Sequence, residues 1–175
     1  MELPNEKDIL ENIHSLDKLF NSLEERHYSL NSDERLEFAH CLVNIANTHN
    51  IDWLDLATTA IDNGFNSWNI FEILQDVIPK VVYDIESAVK LIHLALNPSS
   101  SGNFPLHSLT KIAEEAPALA KEMLVEVKAI DNENISGCIS ALYFGLASDN
   151  FKSVHQEIID SLPCESIFIT RAFLQ

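Results

Sequence analysis

The 175-residue chain is 46% apolar, enough for the continuous core of one ordinary domain, and no stretch of it is apolar enough to span a bilayer. Against 27 acids stand 11 basic residues, a formal charge of −16 that repels phosphate backbones and anionic lipid, so neither nucleic acid nor a membrane is expected as a partner. Four glycines supply no GxGxxG or GxxxxGK loop for nucleotide phosphates, and three scattered cysteines (Cys41, Cys138, Cys164) read as reduced core thiols rather than as disulfides or zinc ligands.

The first ten residues, MELPNEKDIL, are mixed and acidic where a secretory signal is basic and then apolar, so the expected location is the cytoplasm. Residues 5–28 predict one long amphipathic helix, with Ile9, Ile13, Leu16, Phe20 and Leu23 at helical spacing. Ser32 is the expected cap of a second helix, which runs to about Thr48 with Asp33 and Glu34 in its first turn. Its apolar residues (Leu36, Phe38, Leu42, Val43, Ile45) cover more than one face, as in a helix packed on two sides.

Beyond residue 50, helix-start signals recur at Asp52, Asp84, Pro117 and Asn150, which lie 32, 33 and 33 residues apart. The first start leads to a helix that ends at Gly64 in a left-handed cap, with Phe65 folding back. Its partner runs from Ser67 to Ile78, where Pro79 stops it. The second start has Tyr83 in the position of a hydrophobic staple, and its helix ends near Asn97-Pro98. Ser99 to Asn103 is the one low-complexity loop, and a helix from Pro105 to Glu115 completes that pair. The third start places Pro117 in the first helical turn, where its missing amide donor costs nothing. A turn at Asp131–Glu133 and a helix from Asn134 to Ser148 follow, with Gly137 and Gly145 allowing a neighbouring backbone to come close. A fourth unit closes on the apolar run Ile167 to Leu174, which predicts either a docked partner or further chain.

In this layout the chain resembles the HEAT and armadillo class of helical repeats. The resemblance implies an all-α, right-handed solenoid of about 33-residue hairpins (51–83, 84–116, 117–149, 150–175) packed on an N-terminal helix pair (1–50) as one structural domain. It implies a binding scaffold and supplies no functional residues.

Three Glu-x-x-His pairs, Glu11/His14, Glu24/His27 and Glu37/His40, could suggest a di-metal helical site. At 100° per residue, however, they point different ways around their helices, so they read as surface pairs. With the remaining histidines isolated and no GxSxG or HExxH pattern, the expectation is no catalytic residue, no metal and no cofactor.

The stretch from Leu36 to Pro79 holds six acids (Glu37, Asp52, Asp55, Asp62, Glu72, Asp76), no lysine or arginine, and both tryptophans. Trp53 aligns with Leu54, Ala57, Ala60 and Ile61 and belongs to the core. Trp68 falls roughly 120° from the centre of its helix's apolar stripe, on the side of Glu72 and Asp76. Trp68, Glu72 and Asp76, with Asp62, are therefore the candidate partner-binding residues, and the expected function is a non-enzymatic scaffold for a basic protein. The alternative is an acidic inhibitor of the immunity kind, blocking a basic nuclease or DNA-binding protein.

Overall fold

The computed structural model describes residues 6–97, 104–130, 132 and 135–147, and among them the chain is all-helical. Ten helices occur among those residues and no strand: α1 (Glu6–Asn12), α2 (Leu16–Ser29), α3 (Ser32–His49), α4 (Trp53–Asp62), α5 (Ser67–Leu74), α6 (Ile78–Val81), α7 (Ile85–Leu96), α8 (Phe104–Glu115), α9 (Pro117–Ala129) and α10 (135–147). No described helix is long and apolar enough to cross a membrane. The expected loop at Ser99–Asn103, the turn acids Asp131 and Glu133, the unit from Asn150 with its apolar run Ile167–Leu174, and Cys164 lie outside the described residues.

The chain divides between Val81 and Val82 into two compact units, the first holding α1–α6 and the second α7–α10. In the first unit α1 packs on α2, α5 on both α2 and α4, and α6 on α3 and α4. Its centre is built from Trp53, Phe38, Phe71, Leu19, Leu42 and Ile70, all fully buried. In the second unit α7, α8 and α9 each touch the other two.

The single helix expected over 5–28 is a hairpin of α1 and α2. The Ser15 amide bonds the Asn12 carbonyl (2.9 Å), and Ser15 adopts an extended backbone before α2 restarts. The Asn12 side chain donates to the Asp8 carbonyl at 2.8 Å, a local bond to the backbone at the end of α1. Arg26 then reaches back to Asp8 at 3.2 Å across the hairpin. The cap of α3 is Asn31 rather than Ser32. Its side chain accepts from the Asp33 and Glu34 amides, while Glu34 accepts from the Asn31 amide, a reciprocal capping box. The buried residues of α3 (Phe38, Ala39, Leu42, Ile45, Ala46) form one stripe, with Leu36 exposed and Val43 half-buried, so the helix is not apolar on several faces as expected.

Asp52 caps α4 by accepting from the Leu54 and Asp55 amides. At its end Gly64 takes φ +89°, its amide bonds the Ile61 carbonyl and the Phe65 amide bonds the Ala60 carbonyl, the two closures of a Schellman turn. The expected helix from Ser67 to Ile78 is instead split into α5 and α6, with Pro79 in the first turn of α6. In a continuous helix the Pro79 ring would strike the Gln75 carbonyl four residues back, so α5 stops at Leu74 and the chain re-enters helix where a proline is tolerated.

Asp84 caps α7 through the Ser87 amide (2.8 Å), a bond that also holds its carboxyl below the ordinary range. The Tyr83 staple is absent, because the ring is 78% exposed: the residue it would pack on, Ala88, is small and already buried. Pro117 opens α9 as expected. Gly145 in α10 lies against the backbone of α8, and the Thr110 hydroxyl bonds the Ala141 carbonyl (3.2 Å) in the same crossing.

Candidate functional site: an aromatic and acidic seam

The first unit carries three large exposed apolar or aromatic side chains among the described residues: Tyr28, Leu36 and Trp68. Two of them flank the seam between α2 and α5. The seam has a clear register, because Phe20 meets Phe65 (ring centroids 6.1 Å), Asn69 donates to Glu24 (2.7 Å) and Tyr28 donates to Glu72 (2.8 Å). Residue numbers rise together along both sides, so α2 and α5 run parallel.

Trp68 is 52% exposed, one helical turn before Glu72 on α5. Its amide is held by the Asn66 side chain, the cap of the helix (2.9 Å), which anchors the backbone that presents the indole. Glu72 is half-buried and Asp76 is exposed in the turn after α5. Trp68 and Glu72 therefore lie one turn apart on α5, but the expected row ends there, because Asp76 falls in the turn beyond the helix, and Asp62 is the exposed last residue of α4, on a different helix. Trp53 is fully buried, and its indole N–H donates to the Leu42 carbonyl (3.1 Å).

The seam contains Tyr28, which sequence reasoning passed over, and His27, which it placed on the surface. Tyr28, 47% exposed, gives its hydroxyl proton to the Glu72 carboxylate, and that bond, with burial and the acids nearby, pushes its pKa up to about 12. His27 was expected in a surface pair with Glu24. Instead it is 3% exposed, Glu24 bonds Asn69, and the His27 ring packs edge-on against Tyr28 (5.5 Å) and beside Phe38 (6.4 Å). Neither of its ring nitrogens has a hydrogen-bond partner. A single apolar stripe on α2 predicts one buried face, but α1 and α5 both pack on this helix and Phe38 of α3 reaches its ring, so positions flanking the stripe are covered as well. His14 and His40, by contrast, are exposed.

Absence of cations along residues 36–79 does not produce a cation-free surface in space. Arg35 donates to the Leu30 carbonyl (3.2 Å), and its charge reaches both His27 and Tyr28. The charge balance around the seam is still acidic, with Glu24, Glu72 and Asp76 against Arg35.

The described residues contain no group of three or more His, Cys, Asp or Glu side chains placed to hold a metal ion. Burial pushes the Cys41 thiol up and the Cys138 thiol to about 11, so both stay protonated near neutral pH and neither is poised as a nucleophile. Comparison with protein-family models, with curated proteins and with solved structures finds no match to this chain.

Proposed function

We propose that the chain is a non-enzymatic, cytoplasmic protein-interaction module that receives a basic protein on the α2–α5 face. The observation that carries this reading is an exposed tryptophan on a side-chain-capped helix, one turn before Glu72, whose carboxylate holds the hydroxyl of a half-exposed tyrosine. Large aromatic residues supply much of the contact energy of protein interfaces, and flanking carboxylates select a cationic partner. Asp62, exposed at the end of α4, is the remaining acidic residue of the proposed partner-binding set.

The architecture that suits this role is a stacked helical array of the HEAT and armadillo kind. Support comes from the capped starts at Asp52 and Asp84, from Pro117 at the first position of α9, and from α9 touching both preceding helices. The parallel pairing of α2 with α5 at offsets of 44 and 45 residues also falls in the length range of those repeats, although it exceeds the spacing of the starts.

The charged part of the reading is tested by binding kinetics against the partner captured from the native source. Long-range attraction should speed association and fade as salt shortens the screening length to about 8 Å. Glu72→Gln with Asp76→Asn should lower the association rate and flatten its dependence on salt, with the circular dichroism spectrum unchanged. Association that is independent of salt in the parent protein would overturn the basic-partner reading.

A further inference from the structure

We infer that the α2–α5 face is gated by pH through His27: a proton taken up by its buried ring draws Glu72 away from Tyr28 and loosens α5 from α2. The gate is a property of the protein alone, while its consequence for binding rests on the docking role proposed above.

The chemistry begins with the ring. Neutral imidazole carries one N–H donor and one acceptor nitrogen, and both are unpaired here in a site sealed from water. Imidazolium would carry two donors and a full charge in the same place. The groups facing it are few: Arg35 from α3, which repels a second cation, Glu72 from α5 and Asp76 from the following turn, which attract one, and the edge-on Tyr28. Glu72 is already engaged as the acceptor for the half-exposed Tyr28 in a bond at the surface, where water can take its place. The carboxylate is therefore free to exchange an exposed neutral donor for a buried charged one. The ring has no hydrogen bond to Glu72 in the closed seam, so that contact forms at the expense of Tyr28–Glu72 and leaves Asn69–Glu24 to hold α5 to α2.

The sign follows from burial, which is the largest influence on the ring and, with Arg35, lowers its proton affinity despite the opposing acids. A loosened or unfolded seam takes up the proton at the ordinary value of 6.5, the closed seam only at lower pH. The closed seam is at full strength above about 6.5 and loses ground as pH falls toward the lowered folded value, by up to about tenfold in its closing equilibrium per pH unit across that window.

The test uses the full chain without a partner. Histidine ring resonances are titrated by NMR, and amide exchange in α2 and α5 is measured at pH 7.5 and 5.5 with correction for intrinsic rates. The expected result is that His27 titrates below the ordinary histidine value of 6.5, that protection in α2 and α5 falls in acid, and that His27→Phe removes this fall. Equal acid sensitivity in the parent and His27→Phe would overturn the gate. Should His27→Phe not fold, the parent titration decides: a His27 ring that titrates at its ordinary value with unchanged α2 and α5 protection overturns it as well. If the seam opens in acid while the captured partner binds equally at both pH values, the gate stands and the docking role of this face is overturned.

Discussion

Trp53→Ala is expected to cost about 3–5 kcal/mol and to leave the first unit largely unfolded under mild denaturing conditions. Trp53 is one of the largest side chains that are fully buried, and it is seated where α4 begins. Truncation removes its contacts with the surrounding core and leaves a cavity that helices fixed at both ends by caps cannot fill by collapse. Typical domains are stable by only about 5–15 kcal/mol, so this single loss consumes much of the margin. Trp53→Phe separates packing from hydrogen bonding. It keeps most of the apolar volume but loses the N–H bond to Leu42, and should cost less than half as much as the alanine change. Urea titration followed by far-ultraviolet circular dichroism checks both variants. A Trp53→Ala midpoint equal to that of the parent would contradict the assignment of this residue to the core.

Gly145→Ala should destabilise the second unit by about 1–3 kcal/mol, the reverse of what helix propensity alone predicts. In an open helix interior, replacing glycine by alanine gains up to about 1 kcal/mol. At position 145 the added methyl carbon would sit 2.3 Å from the Thr110 carbonyl oxygen and 2.6 Å from the Ala113 Cβ, both on α8. Backbone cannot yield as a side-chain tip can, so α8 and α10 must separate and strain the Thr110–Ala141 bond. Gly137 is the internal control. A methyl there meets only the Leu106 side-chain tip at 3.3 Å, so Gly137→Ala should be neutral or mildly stabilising. Thermal melts rank the three proteins, and a Gly145→Ala variant as stable as the parent would refute the close crossing.

Features governed by adjacent residues were legible in the sequence. Asp52, Gly64, Asp84 and Pro117 each act through amides or carbonyls within a few positions, so their residue types announce their roles. The breaks at Asn12–Ser15 and Gln75–Val77 were hidden because apolar spacing continues across them. The second could have been placed from Pro79, whose steric conflict lies four residues upstream rather than at the proline itself. Trp68 was identifiable as exposed because it lies far from its own helix's stripe. Tyr28 and His27 were not recognised, since what defines them is a parallel pairing of helices more than forty residues apart. No local pattern reports that Glu24 bonds Asn69 rather than His27.

The most direct measurement of the docking role is the dissociation rate of the captured partner from Trp68→Ala, compared with the parent and with Val125→Ala. Val125 serves as the control because it is an exposed apolar residue, 68% accessible, on α9 in the other unit. A desolvated aromatic anchor holds a complex together after encounter, so Trp68→Ala should speed dissociation and weaken binding by roughly 2 kcal/mol or more, with the salt dependence of association unchanged. Val125→Ala should dissociate as the parent does. Normal binding by Trp68→Ala, or weakened binding by Val125→Ala alone, would contradict the account and place the interaction surface away from the α2–α5 seam.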